Sequence, residues 1–215
     1  MFALDASGSV GEEGYEQIKH FTKGVIEQFE IGITKTHVAV VTFSEFADVQ
    51  LKLTDSFDRN EIYEKIDNLD YPGYRTATDD ALRIVDKNVL SLDGGARQGA
   101  AQVLIFLTDG KCTLCEESVA SAVAPLKAKG VKIYTVGVTD KINITELGII
   151  ASEPTSEHSF QVEEFNQLVS IIVDVYTKAC DGKCYIFFLF YPLFILYFFK
   201  KEIFCFELHF NLYHL

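Results

Sequence analysis

Apolar residues recur along this chain in two alternating rhythms. Short unbroken runs, Phe2-Ala3-Leu4 and Val103-Leu104-Ile105-Phe106-Leu107 among them, read as strands buried on both faces. Longer stretches with apolar residues three and four apart read as amphipathic helices. Residues 13–29 carry Ile18, Phe21, Val25, Ile26 and Phe29 on one helical face, and residues 36–44 form a continuous predicted strand. Residues 47–53 alternate as an edge strand does, with Val49, Leu51 and Leu53 on one side. A helix is predicted over 58–69 with Asp58 as its N-cap, and another begins near 78, capped by Thr78 or Asp79. The strand Val103–Thr108 follows, then a helix over 116–129 stopped by Gly130, a strand over 131–138, a short helix over 144–152, the strand Ser159–Val162 and a last helix over 163–178.

This rhythm predicts an α/β fold: a doubly wound, mostly parallel six-stranded sheet with helices on both faces and one antiparallel edge strand. Residues 1–180 are assigned to that domain. In such a sheet, ligands bind outside the carboxyl ends of the strands, where the strand order reverses. The chain is expected to start inside its first strand, as a fragment or an incomplete gene model, because after Met1 only the run Phe2-Ala3-Leu4 precedes Asp5.

The formal charge of −12 argues against nucleic-acid binding, which needs clustered Lys and Arg; it fits a protein that holds cations and equally a plainly soluble surface. Asp5-Ala6-Ser7-Gly8-Ser9 follows the first apolar run, and Thr108-Asp109-Gly110 closes the central one. Two such strand ends side by side gather hard oxygen ligands suited to Mg²⁺. Gly8 lets the loop fold tightly enough for both serine hydroxyls to turn inward. Thr76, in the loop Tyr71-Pro72-Gly73-Tyr74-Arg75-Thr76, is the expected third contribution.

Asp5-x-Ser7-x-Ser9, Thr76 and Asp109 resemble the metal-ion-dependent adhesion site (MIDAS) of von Willebrand factor A domains. The resemblance extends to Val38-Ala39-Val40-Val41-Thr42-Phe43-Ser44 and Tyr134-Thr135-Val136-Gly137-Val138, and covers about residues 1–180. It implies that Ser7 and Ser9 ligate Mg²⁺ (or Mn²⁺ or Ca²⁺) directly, that Thr76 does so directly or through water, and that Asp5 and Asp109 act largely through water. It also implies that an Asp or Glu of a protein partner completes the shell. Only Thr139-Asp140-Lys141-Ile142-Asn143 separates Val138 from Ile144, with no inserted helix, so the chain is more similar to the matrix-type domains of collagen VI and matrilins. That implies an extracellular module binding collagen or another matrix protein. The rival is a structural matrix module that assembles without using the metal site.

Several departures from the family pattern bear on the site. Arg75, beside the expected ligand, could repel the ion or hold a partner's carboxylate. Asp79-Asp80 adds negative charge near the site or, as we favour, caps a helix. Cys112-x-x-Cys115 lies in the loop after Asp109, where a local disulfide would stiffen the rim; zinc is disfavoured because no nearby His completes a set. Asn143-Ile144-Thr145 is a glycosylation acceptor triplet, and Cys180 resembles a terminal cysteine of matrix members. The serines lie outside any G-x-S-x-G, and the second Asp of an aspartyl-phosphate phosphatase is replaced by Ser7, so no enzyme activity is expected. Residues 181–215 form an aromatic hydrophobic tail whose apolar run at 185–199 falls short of a spanning helix. Translated non-coding sequence, a membrane anchor and a packed extension all stay open for it, the first being favoured.

Overall fold

The computed structural model describes residues 1–140 and 142–179. In chain order the elements are β1 (Phe2–Asp5), α1 (Gly11–Glu27), β2 (Val40–Phe43), β3 (Ala47–Leu51), α2 (Arg59–Asp67) and α3 (Thr78–Ile84), which runs into a π-helical turn over Val85–Val89. Then come β4 (Val103–Thr108), α4 (Val119–Ala128), β5 (Lys132–Val138), α5 (Ile144–Ile150), α6 (Thr155–His158) and β6 (Ser159–Val162); a 3₁₀ stretch over Phe165–Ile171 leads into α7 (Ile172–Ala179). The expectations for the tail, including the 185–199 run and Cys180, lie outside the described residues, and among the described residues no helix is long and apolar enough to cross a membrane.

The six strands lie in the order β3-β2-β1-β4-β5-β6, all neighbours parallel except the β2–β3 pair. The order reverses between β1 and β4, so the crevice of a doubly wound sheet falls at their carboxyl ends. The pleat sends successive side chains to opposite faces. Phe2, Leu4, Ile105, Leu107 and Val136 pack with Ile18 and Phe21 of α1, Ile62 of α2 and Val175 of α7. Ala3, Val41, Leu104, Phe106 and Ile133 pack with Leu82 of α3, Val123 of α4 and Ile150 of α5. The sheet is therefore covered on both faces, as the unbroken apolar strands predict.

Several boundaries differ from expectation for local reasons. The predicted 36–44 strand pairs in the ladder only over Val40–Phe43, although Val38 and Ala39 are buried. A register shift between Val40 and Val41 breaks the alternation of the edge strand, so Leu51 joins one core while Val49 and Leu53 join the other. Asp58 caps α2 as expected, accepting from the amides of Asn60 and Glu61 at 2.8 and 3.1 Å. The helix predicted from 116 starts at Val119, because the Ser118 hydroxyl accepts from the Ser121 amide and the two preceding amides are drawn elsewhere. Neither Thr78 nor Asp79 caps α3: its N-cap is Ala77, which has no side chain to accept the amides.

Candidate metal centre

The loop from β1 into α1 turns over the carboxyl edge of the sheet. Asp5, the last residue of β1, is fully buried, and one of its oxygens accepts the Ser7 amide at 2.9 Å. Its other oxygen accepts the Thr108 hydroxyl from the end of β4 at 2.6 Å. The Ser7 and Ser9 hydroxyls are 3.3 Å apart, and Ser9 donates to Asp109 Oδ1 at 2.7 Å. A continuous chain of hydrogen bonds thus links Asp5, Ser7, Ser9 and Asp109 across two strand ends about a hundred residues apart in sequence. Asp5, Ser7 and Asp109 are buried, whereas Ser9 is exposed, so the cluster opens to solvent at Ser9.

Thr76, also buried, comes from the loop between α2 and α3. That loop is tied to the serine loop by backbone: the Gly8 amide donates to Tyr74 O at 2.7 Å and the Gly73 amide to Ala6 O at 3.0 Å. The approach is close enough that a Cβ on Gly8 would sit 2.7 Å from Gly73 O, so the backbone there demands glycine. Tyr71 adds a brace, its hydroxyl donating to Ser7 O at 2.9 Å while accepting the Gly11 amide at 3.0 Å. On the far side, Thr76 O accepts the amides of Thr113 and Leu114 at 2.9 and 3.1 Å, and the Thr76 amide donates to Thr113 Oγ1 at 3.0 Å.

Burial pushes the Asp5 carboxyl up to about 6, and the nearby Asp109 charge adds to this, against hydrogen bonds from Ser7 and Thr108 that favour the ionised form. Two acids buried this close, framed by hydroxyls, are the donor set of a hard divalent cation, and the residues present fit one.

The flanking charges do other work than the sequence suggests. The Arg75 guanidinium donates to Thr113 O, which fastens the 110–118 loop. Asp79 neither caps α3 nor joins the cluster: its Oδ2 accepts the amides of Glu116 and Glu117 at 2.8 and 3.1 Å. Asp80 accepts the Ala47 amide at 2.8 Å and pairs with Arg83. Cys112 and Cys115 form a disulfide, Cα to Cα 5.8 Å, in the same loop. Glu146 of α5, half-buried and with its carboxyl raised by that burial, accepts the Cys112 amide at 3.0 Å.

Sequence reasoning missed Thr108, Tyr71, Thr113 and Glu146. Thr108 could have been found as the hydroxyl residue ending the strand that presents Asp109; the others make contacts that no local pattern announces.

The family model for the von Willebrand factor type A domain matches residues 1–174. The chain is similar to the collagen alpha-6(VI) chain of Mus musculus, 33% identical over 183 residues that cover 85% of this chain and 8% of that one. It is similar to matrilin-1 of Gallus gallus, 28% identical over 180 residues that cover 84% and 36%. Among solved structures it is similar to proximal thread matrix protein 1 from the mussel byssus with a zinc-occupied MIDAS motif, with TM-score 0.76, 31% identity, and 83% and 44% covered. The chain spans a minor part of these relatives' lengths.

Proposed function

Because the chain belongs to the von Willebrand factor type A domain family, we propose that it is an extracellular protein-binding module whose grip on its partner depends on a divalent cation. Ser7, Ser9 and Thr76, with Asp5 and Asp109 behind them, would hold Mg²⁺, with Mn²⁺ or Ca²⁺ as substitutes. The cation would supply a Lewis-acidic point that draws a partner's Asp or Glu carboxylate. Supporting the reading is the hydrogen-bonded chain from Asp5 through Ser7 and Ser9 to Asp109, laid across the point where the strand order reverses.

The chain's own residues prepare this. Thr108 holds Asp5 from β4, and Tyr71 and Gly8 lock the serine loop against the loop that carries Thr76. Backbone bonds to Thr113 and Leu114 keep Thr76 in place. With neutral hydroxyls as direct ligands and Asp5 and Asp109 acting largely through water, the cation would keep much of its charge for the partner. That the relatives are matrix proteins supports a matrix protein as that partner, with collagen the one to try first. The reading assigns no catalysis.

Binding of the purified chain to immobilised collagen, measured in Mg²⁺ and again in EDTA, tests it. Loss of binding in EDTA and in Ser9→Ala is the expected result. Binding that ignores both would favour a matrix module assembling through other surfaces, and calorimetry showing no Mg²⁺ or Mn²⁺ uptake would remove the metal altogether.

A further inference from the structure

Asp79 is buried and bonded through one oxygen only: Oδ2 takes the Glu116 and Glu117 amides, while Oδ1 has no hydrogen-bond partner. A carboxylate oxygen buried without a donor is costly and calls for a ligand. A carboxylate oxygen of Asp79 and the sulfurs of Cys112 and Cys115 all lie within 4.8 Å of one another. As a disulfide the sulfurs offer the carboxylate neither a proton nor a metal.

We propose that this cluster, once reduced, is a second metal site, a thiolate–thiolate–carboxylate set for Zn²⁺ made by Cys112, Cys115 and Asp79. It is distinct from the serine–threonine–aspartate cluster and independent of how that cluster binds a partner. Soft thiolates select Zn²⁺ over Mg²⁺, which sets this set apart in ligand type from the all-oxygen cluster. Four-coordinate zinc, with Zn–S about 2.3 Å and Zn–O about 2.1 Å, needs its ligand atoms roughly 3.5–3.8 Å apart. Once the S–S bond opens, the sulfurs need only part to that spacing around the Asp79 carboxylate. A water would complete the tetrahedron.

The loop does not depend on the S–S bond for its place. The Cys112 amide is held by Glu146, the Thr113 and Leu114 amides by Thr76 O, and the two amides after Cys115 by Asp79 Oδ2. Reduction therefore leaves the two thiols presented to the carboxylate rather than released. The step balances: a dithiol reductant gives two electrons and two protons, the S–S bond breaks to two thiols, and the reductant closes into its own disulfide. Zn²⁺ then displaces both thiol protons to solvent. Sequence spacing alone disfavoured zinc because no nearby His completes a set with the C-x-x-C; Asp79 supplies a third ligand from the start of α3.

Co²⁺ added to the full chain, before and after reduction with a phosphine, reads the site through sulfur-to-cobalt charge-transfer absorption, with Zn²⁺ then displacing the Co²⁺. The absorption is expected only after reduction, and it should persist in Ser9→Ala, whose oxygen cluster is damaged. It should vanish in the double variant Cys112→Ser/Cys115→Ser, which keeps the backbone bonds that hold the loop. In Asp79→Asn the affinity should fall at least about tenfold, the least that a lost supporting group costs a metal site. No charge-transfer absorption from the reduced protein would overturn the proposal. So would absorption that survives in the double variant, which would assign it to the cysteines beyond residue 179. An unchanged titration of Asp79→Asn would do the same.

Discussion

Single atoms decide whether the cluster at the sheet's edge holds its shape. A methyl group on Gly8 would meet Gly73 O at 2.7 Å, and that oxygen is backbone, so the loops carrying Ser7 and Thr76 must part. Gly8→Ala is expected to cost about 1–3 kcal/mol of stability, as overpacking does, and to weaken Mg²⁺ uptake more than a surface change would. Chemical denaturation and calorimetry on the same variant measure both. Thr108→Val keeps the shape of the side chain and deletes the 2.6 Å hydrogen bond to Asp5, together with the longer bonds to the Gly110 carbonyl and amide at 3.3 and 3.2 Å. It leaves a fully buried carboxylate oxygen short of a donor, a loss of about 1–3 kcal/mol. A variant as stable as the parent would show that water replaces the hydroxyl. Asp5, Ser7, Ser9 and Asp109 were legible because each sits within a few residues of an apolar strand. Thr108's role was not, because its partner lies 103 residues away, even though its place at the end of the strand presenting Asp109 marks it as a hydroxyl near the site.

At the scale of elements, the strands and helices were largely legible and their ends were not. An apolar run marks a buried strand wherever it lies, but pairing depends on the neighbour, which is why residues 36–39 approach β2 without joining its ladder. The polar residues were misread most. Asp79 and Asp80 look like helix caps by position, yet they reach sideways to the amides of Glu116, Glu117 and Ala47. Tyr71 reads as a loop aromatic, yet its hydroxyl ties the start of α1 to the serine loop. Tyr71→Phe deletes both bonds with little change of volume and should cost about 1–2 kcal/mol; a parallel rise in hydrogen exchange at Gly11 would locate the loss. Asp86, in the π-helical turn, is buried and pairs with Lys129 at 2.7 Å and Lys87 at 3.0 Å. Burial alone would raise its carboxyl, but the two ammonium groups outweigh that and hold it below the usual range. Its contribution is therefore present at neutral pH and lost as pH falls through its native value. Asp86→Asn should destabilise by roughly 1 kcal/mol, since both lysines can return to water.

Over the whole molecule, the acids at the sheet's edge make stability depend on pH and metal together. Asp5 has an ordinary value of 3.8 and a native value near 6, raised chiefly by burial and further by Asp109. Between those two values the unfolded chain has released the proton while the native one keeps it, so without metal this group lowers stability as pH rises. The loss begins near the unfolded value, levels off above about 6 and amounts to roughly 3 kcal/mol. A cation bound beside Asp5 favours its ionised form and reverses the trend, adding about 2.7 kcal/mol when present at a hundred times its dissociation constant. With a formal charge of −12 on the chain, the cation also relieves general repulsion. Denaturation of the chain and of Asp5→Asn, each in EDTA and in Mg²⁺, isolates the group because all other carboxylates cancel in the difference. In EDTA, Asp5→Asn should gain on the parent as pH rises from below 4 to above 6, whereas in saturating Mg²⁺ the parent should gain instead. Curves that run parallel in both conditions would place the cation, if any, away from Asp5.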